Sequence, residues 1–372
     1  MVAMNGRRRI WRWARRLATV VLLAVAGFLT LVPIGRYLAR AAWEEGKILA
    51  RRKPIDRLIH DAGTAPALRA KLQLVLDARR FAIDSLGLKA DKEFTTFSRL
   101  DRDTLVLVLS AAYRDSLAFR SWWFPVVGRV PYKGFFDFEA GKREARAVDS
   151  AGFDVVLRPA AAFSTLGWFN DPLLPTTLGL DSLELANTVI HELVHTTYYV
   201  PGQAVFNESL ANFAGSRGAE RFFRARGQSE AAMEVARRWD DERVMGMFWS
   251  VLYATLDSAF RVHSGDRTAR LVARDTVFAR ARIELRTRLA PQLVTMDSAS
   301  LGRIRLNTAA VMARRIYLTD LELFERVLRG DNGDVRAGVA RLLALARLEP
   351  RTPYNAVRRF LGDPIPDSVM TR

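Results

Sequence analysis

Hydrophobic and polar residues follow three different patterns along the chain, and each pattern predicts a different kind of structure. An uncharged apolar run extends from Leu17 to Gly35. From about Thr95 to Gly167, short apolar and aromatic segments are separated by glycine and proline, as strands and their connections are. Beyond Leu178, apolar residues recur at helical spacing between charged residues almost to the end of the chain. We therefore predict an α+β fold that is predominantly helical.

The apolar run is long enough to cross a membrane. As a helix, its nineteen residues would extend about 28 Å, close to the thickness of the hydrocarbon core of a bilayer. Six arginines and no acidic residue precede it, which favours a cytoplasmic N-terminus and an external main domain. A cleaved signal peptide is the alternative, because Ala39-Arg40-Ala41 has the form of a processing site.

The chain continues from the apolar run into a charged helical segment that we expect to break at Pro54. A second helix should follow from Thr64, with Thr64 as its cap and Pro66 in its first turn. These patterns divide the chain into a basic cytoplasmic N-terminus at residues 1–16, a transmembrane anchor or cleaved signal at 17–35, a helical neck at 36–94 and the main domain at 95–372.

Charge and cysteine content exclude several classes of function. The net charge of +17 invites a nucleic-acid interpretation, but the excess is spread along helical segments that also carry acidic residues. Since no recognition module accompanies the charge, we predict no nucleic-acid partner. The chain has no cysteine, which excludes disulfides, thiolate ligands and a cysteine nucleophile.

The segment "VIHELVHTTYYV" contains two of the four histidines in the chain. A helix capped by Asp181 or Ser182 would place His191 and His195 on one face, one turn apart, where both can bind a single metal ion. Glu192 would then lie beside the open side of the metal, where a carboxylate can accept a proton from water. This arrangement predicts one catalytic zinc ion.

A catalytic zinc needs a third protein ligand and one open position. After a turn at Pro201-Gly202, we expect Asn207 to cap a second helix and Glu208, in its first turn, to return over the metal. His263 and His60 are the other possible third ligands. Asn212, one turn beyond Glu208, is a candidate acceptor for the second ring N–H of a ligating histidine, with an exposed surface amide as the alternative.

These residues resemble a family of bacterial zinc aminopeptidases of the zincin type, whose His-Glu-x-x-His helix is followed by a Phe-Asn-Glu-x-x-Ala segment. The second segment stands here as "FNESLA" at Phe206–Ala211. Two further blocks of the family match "STLGWFNDP" at Ser164–Pro172 and "WWFPVVG" at Trp122–Gly128. The resemblance extends in order over about Tyr37–Leu328.

Two departures from the family pattern affect the strand-rich part and the anchor. Many members carry a cysteine pair around the Phe-Pro turn, where this chain has Trp123 and Arg129. Members are often lipid-anchored through an N-terminal cysteine, which an apolar run replaces here. Neither departure touches the proposed zinc site.

The resemblance implies hydrolysis of a peptide substrate. Zinc on the two histidines and Glu208 would activate water, and Glu192 would act as the general base. Tyr198, Tyr199 and Tyr317 are candidate donors to the tetrahedral oxyanion, although tyrosines near a helix end are more often packing residues. The resemblance and the apolar run together predict a single-pass protein of the bacterial inner membrane, with its catalytic domain on the periplasmic side.

Three further residues are candidates for substrate binding. Ser164 and Thr165 lie in a small, apolar segment suited to an exposed strand edge that pairs with an extended peptide, or to an ordinary buried strand. Asp171 could receive the free amine of the substrate, or serve only as a turn residue before Pro172. The alternative to an enzyme is a membrane-tethered binding or assembly factor, in which the zinc is structural.

Overall fold

A computed structural model describes residues 2–100, 106–125, 128–159 and 172–365 of the chain. Over these residues the fold is predominantly helical, with small antiparallel sheets confined to the first half. The predicted α+β class with a helical majority is therefore confirmed. Ser164, Thr165 and Asp171 lie outside the described residues.

The elements are, in chain order, α1 Val2–Leu31, α2 Pro33–Ala50, β1 Arg52–Pro54, α3 Ile55–His60, α4 Pro66–Asp84, β2 Thr96–Ser98, β3 Leu107–Tyr113, β4 Trp122–Phe124, β5 Gly128–Val130, β6 Tyr132–Phe135, α5 Phe138–Ser150, β7 Phe153–Pro159, α6 Pro175–Leu178, α7 Ser182–Thr197, α8 Ala204–Ala225, α9 Ser229–Val262, α10 Arg267–Glu284, α11 Ser298–Gly302, α12 Thr308–Tyr317, α13 Leu321–Gly330, α14 Val335–Leu348 and α15 Pro353–Leu361. A π-helical turn and a short 3-10 turn continue α10 through Gln292.

The N-terminal helices carry one segment apolar enough to cross a membrane. It comprises Trp13–Leu31, has a mean hydropathy of 1.7 and has none of its residues buried in the fold. Pro33 starts α2 immediately afterwards, since proline is suited to the first turn of a helix. A Cβ atom on Gly35 would lie 1.9 Å from the carbonyl oxygen of Phe28, so only glycine fits at this junction. The apolar helix has the length and composition of a membrane span or a signal sequence.

Two sequence expectations for the following segment differ from the structure. The charged helix ends at Ala50, before the expected break at Pro54, and β1 pairs there with β2 in antiparallel register. The residue at the N-cap of α4 is Ala65, whose methyl group cannot accept a hydrogen bond, whereas Thr64 is buried one position earlier. Pro66 does occupy the first turn of α4, as predicted.

The main hydrophobic core joins the helices that surround α7 and α8. Ile190 of α7, Phe213 of α8, Trp239 of α9 and Phe324 of α13 are all fully buried within it. Leu72 of α4, from the predicted neck, belongs to the same core. The two helices that carry the candidate metal ligands are thus held on several sides.

The three-stranded sheet has the order β6-β3-β7, and β7 fixes the position of α12. Asp154, at the start of β7, accepts hydrogen bonds from the Thr308 backbone N–H at 2.7 Å and from Arg274 at 2.5 Å. The Asn307 side chain donates to the Val155 carbonyl at 3.2 Å. These bonds attach the N-terminus of α12 to the sheet.

Candidate metal centre

The helix α7 presents two histidines on one face. Asp181, one of the two predicted caps, is its N-cap and accepts hydrogen bonds from the backbone N–H groups of Leu183 and Glu184. His191 and His195 are separated by one turn and so point in the same direction. Leu193 and Ile190, on the other side of the helix, are fully buried in the core. Burial of that side directs both imidazoles away from the core.

The turn after α7 brings Glu208 back over the two histidines. Gly202 adopts a φ of 76°, a left-handed conformation that suits glycine. The side chain of Asn207 bonds both backbone groups of Val200, donating to its carbonyl at 2.8 Å and accepting from its N–H at 3.0 Å. Asn207 therefore braces the loop; the prediction that it caps α8 is wrong, because the helix begins three residues earlier.

The three predicted ligand side chains converge. The Nε2 atoms of His191 and His195 lie 3.2 Å apart, and the carboxylate oxygens of Glu208 lie 3.3 Å from the first and 3.5 Å from the second. Two ligand atoms that are each about 2.0–2.1 Å from a tetrahedral zinc ion are separated by about 3.3 Å. The spacing of these nitrogen and oxygen donors thus fits such an ion, and the cluster could hold a metal.

The charges in this cluster are strongly coupled. Burial alone would raise the pKa of Glu208, but hydrogen bonds from His191 and His195 outweigh it and lower the pKa to about 2. Burial lowers the pKa of His195, whereas its contact with Glu208 and the nearby charge of Glu192 raise it overall. A carboxylate held ionised beside two imidazoles is a favourable environment for a divalent cation.

Neither alternative third ligand joins the cluster, which is formed within the described part of the chain by His191, His195 and Glu208. The Nδ1 atom of His60, in α3, is 2.8 Å from the Asp56 carbonyl oxygen. His263 follows the end of α9. Glu208, the preferred candidate, is the one that the fold brings to the histidines.

The predicted partner of the histidines has a different hydrogen bond. The Asn212 side chain donates to Glu242 of α9 at 3.0 Å. The Nδ1 atom of His195 is buried and has no partner among the described residues. The role of Asn212 behind the metal site therefore stays a prediction.

The three candidate tyrosines occupy different environments. Tyr317, at the end of α12, forms a side-chain hydrogen bond with Arg158 of β7. Its pKa is raised, chiefly by burial and then by the charge of Glu208, with Arg158 acting in the opposite direction. The ring of Tyr199 lies 6.0 Å from that of His195 and is 49% exposed.

Tyr198 packs away from the ligand cluster. The Arg347 guanidinium lies 4.7 Å from its ring centroid, and the ring contacts the main core. These contacts favour the packing role for Tyr198.

Gly215 permits the close approach of α7 and α8 beside the site. A Cβ atom on this residue would lie 2.2 Å from Oδ1 of Asn187, 3.0 Å from the Asn187 carbonyl oxygen and 3.2 Å from Cβ of His191. No side chain larger than hydrogen fits here without displacement. Gly215 stands in "NFAGS" without a turn signal around it, so the sequence does not reveal this role.

A largely buried acidic pair lies on α7 and α9, farther from the ligand cluster. Glu184 and Glu242 line a cavity of about 180 Å³ together with Asn187 and Ser216. Burial raises the pKa of Glu242 to about 7, an effect that the charge of Glu184 reinforces and the hydrogen bond from Asn212 opposes. Burial also raises the pKa of Glu184. Sequence reasoning missed this pair, because Glu242 lies in a long helix rich in charged residues.

A comparison with family models matches residues 36–356 to the family described as "putative aminopeptidase". The match covers most of the chain and includes every element around the ligand cluster. The chain belongs to this aminopeptidase family. The resemblance drawn from the sequence motifs is thereby confirmed, and the family supports peptidase activity for this protein. No curated protein and no solved structure matches the chain in the corresponding comparisons.

Proposed function

We propose that this aminopeptidase family member is a zinc-dependent metallopeptidase of the zincin type that removes residues from the free N-terminus of peptides. The observation that carries the proposal is the convergence of three side chains on two adjoining helices, whose nitrogen and oxygen atoms are 3.2, 3.3 and 3.5 Å apart. When bound, zinc supplies Lewis acidity, which makes water more acidic and polarises the scissile carbonyl. The donors offered by His191, His195 and Glu208 are those of a catalytic zinc site.

Glu192 is the general base in this proposal. It follows His191 directly in the sequence, and its charge acts on both His195 and Tyr317, so its carboxylate lies near the cluster. Glu192 would accept a proton from the attacking water and pass it to the leaving amine.

Tyr317 is the proposed donor to the oxyanion. Its raised pKa keeps the phenol protonated at neutral pH, so that the hydroxyl group is available to donate a hydrogen bond. Arg158 adds positive charge beside the phenol, where negative charge develops on the carbonyl oxygen. Tyr199, which is more exposed, is the second candidate.

The number of ligands supports catalysis over a purely structural metal. A structural zinc site is closed by four protein ligands, whereas a catalytic site retains an open position. In the described ranges, the cluster has three members with suitable atoms. A site of this kind has room for water and substrate.

The apolar N-terminal helix supports attachment to a membrane. No residue of Trp13–Leu31 is buried in the fold, and six arginines within residues 1–16 precede or flank its first turns. We propose that the helix anchors the protein in the bacterial inner membrane, with the catalytic domain on the periplasmic side. Asp171, Ser164 and Thr165 remain the proposed contacts for the substrate amine and backbone.

The experiment that tests this function combines metal analysis with hydrolysis. We expect the purified full chain to bind one zinc ion and to cleave peptides with a free N-terminus, but not their N-acetylated counterparts. The variant Glu192→Gln should retain zinc and lose activity, and Glu230→Gln, an exposed glutamate at the start of α9, should retain both. Stoichiometric zinc without hydrolysis in the wild type would favour the structural site. Absence of bound zinc would refute the metal site altogether, and cleavage of acetylated peptides would indicate an endopeptidase.

A further inference from the structure

The small sheet is attached to α2 immediately after the apolar helix. Ile34 and Tyr37 pack against the hydrophobic cluster formed by β3, β4, β6 and α5. The Tyr37 ring lies 5.5 Å from that of Phe124 in β4, and the Lys133 ammonium group in β6 lies 5.9 Å from the centroid of the Tyr37 ring. The sheet is therefore tied to the first two turns of α2.

This attachment limits the distance of the sheet from a membrane. Ile34 and Tyr37 follow Leu31, the last residue of the apolar helix, by three and six positions. Val32 is extended and α2 begins at Pro33, so Tyr37 is at most about 13 Å beyond Leu31, and a tilt of α2 brings it closer. The headgroup layer on each side of a bilayer is about 5–7 Å thick. If the helix spans, as proposed above, the hairpin of β4 and β5, whose Phe124 packs against Tyr37, lies close to this layer.

The strands β4 and β5 present an aromatic and a cationic side chain outward at this level. Alternation along β4 directs Trp122 and Phe124 into the cluster and Trp123 away from it, where it is 61% exposed. Arg129, directly opposite Trp123 in the register of β4 and β5, is also exposed. Tyr132, at the start of β6, is 47% exposed. We call Trp123, Arg129 and Tyr132 the aromatic face.

The chemistry of the aromatic face matches that of a phospholipid interface. Tryptophan and tyrosine are enriched at the level of the headgroups, because one part of each ring system is apolar and another part forms hydrogen bonds. Arginine places its apolar stem in the interface while its guanidinium binds phosphate. Trp123 is 61% exposed, so most of its ring is left uncovered by the rest of the fold.

We propose that the aromatic face docks on the phospholipid headgroups of the membrane that holds the N-terminal helix. This inference rests on the proposed anchoring, but not on zinc or peptidase activity. Tyr132 begins β6, and the sheet β6-β3-β7 carries Arg158 of β7 to the candidate active site. Docking would therefore hold the catalytic centre at a fixed height above the membrane, beside polypeptides that lie near its surface.

The absence of cysteine permits a direct test by single-cysteine labelling. The full chain would be reconstituted in vesicles of phosphatidylethanolamine and phosphatidylglycerol, with an environment-sensitive fluorophore on Trp123→Cys or Tyr132→Cys. The matched control is Leu348→Cys at the end of α14, which is 76% exposed and lies in the helical half. A third variant, Leu22→Cys, reports whether the apolar helix is inserted.

We expect nitroxide-labelled lipids to quench the labels at positions 123 and 132 at least several-fold more than the label at position 348. Introducing Trp123→Ser into the variant labelled at position 132 should reduce that quenching. If the label at position 22 is quenched but the labels at 123 and 132 are quenched no more than the control, docking is refuted and the anchor is not. No quenching at position 22 would refute the anchor and docking together. Labels at 123 and 132 that are shielded from water but not quenched by lipid would indicate contact with a second copy of the chain, and would also refute docking.

Discussion

The close packing of α7 and α8 at Gly215 leads to a prediction about both stability and metal binding. In Gly215→Ala, the new Cβ would lie 2.2 Å from Asn187 Oδ1, more than 1 Å inside the ~3.5 Å at which such atoms pack. Rotation of the Asn187 side chain could relieve that contact at the cost of its 3.4 Å hydrogen bond to Glu184. The contacts of 3.0 Å to the Asn187 backbone oxygen and 3.2 Å to His191 Cβ would persist, so the helices must also separate.

The magnitude follows from two opposing effects. Overpacking at a well-packed site costs about 1–3 kcal/mol, and the 2.2 Å contact places this site in the upper part of that range, at about 2–3 kcal/mol. Replacing glycine by alanine inside a helix contributes about 1 kcal/mol of stability. We therefore expect a net loss of about 1–2 kcal/mol in the free energy of unfolding for Gly215→Ala. Gly46→Ala in α2, where nothing lies within 4 Å of the new Cβ, is the matched control and should be neutral or stabilising.

The same separation of helices should weaken metal binding. His191 is on α7 and Glu208 is on α8, so a displacement between the helices changes their separation of 3.3 Å directly. We expect zinc affinity, measured by competition with a chelator, to fall about 10-fold in Gly215→Ala, as is typical when residues supporting a metal site are altered. Adding Asn187→Ala should recover part of the lost stability, because it removes the closest clash but leaves the two backbone-linked contacts.

Denaturant unfolding in detergent, run in parallel with the chelator competition, decides the question. If Gly215→Ala matches the wild type in both unfolding free energy and zinc affinity, the close approach does not hold the ligands in place. Loss of stability with unchanged zinc affinity would show that the ligand geometry is independent of helix spacing at this point. Either result would refute the reasoning above.

Two further predictions concern side chains around the site. Tyr317→Phe should lower kcat about 100- to 1,000-fold, with unchanged zinc content and nearly unchanged KM. Tyr198→Phe should leave both kinetic constants unchanged. Equal effects of the two substitutions would contradict the oxyanion role of Tyr317. Native Glu242 retains its proton up to about pH 7, while the unfolded carboxyl releases it near its ordinary pKa of 4.5. The free energy of unfolding should therefore decrease as pH rises from about 4.5 to about 7, by at most about 3 kcal/mol, and the slope should be smaller in Glu242→Gln. Identical slopes in wild type and variant, measured by urea unfolding over this pH range, would show that Glu242 is not held protonated.

The convergence of His191, His195 and Glu208 could be predicted from the sequence because it depends on short-range geometry. His191 and His195 share a helix, and one turn separates that helix from the one carrying Glu208. Helical periodicity and a tight turn are enough to place these three residues together. The prediction that Asn207 caps the second helix was wrong, because its side chain bonds to Val200 in the preceding loop.

The surroundings of the ligands depend on long-range packing, which no local pattern reveals. Arg158 reaches Tyr317 because β7 and α12, separated by about 150 residues in sequence, run side by side. Glu242 approaches Asn212 because α9 packs across α8. The charged residues of α9 all resemble ordinary surface positions in the sequence, so nothing distinguishes the buried glutamate from its neighbours.

Of the three tyrosines suggested by the sequence, Tyr317 is the one whose position the fold fixes from both ends of its helix. Bonds from Thr308 and Asn307 to the first residues of β7 hold the start of α12, and Arg158 near the end of β7 bonds Tyr317 at the other end. Ten residues of helix and five residues of strand have nearly the same length, about 15 Å, so the two contacts are compatible with straight elements. An oxyanion donor is effective only when it is held in place before the reaction, because reorientation during the reaction would cost the energy that it supplies. Tyr199 lies beyond the end of α7 and is half exposed, which makes it suited to contact substrate but leaves it less constrained than Tyr317.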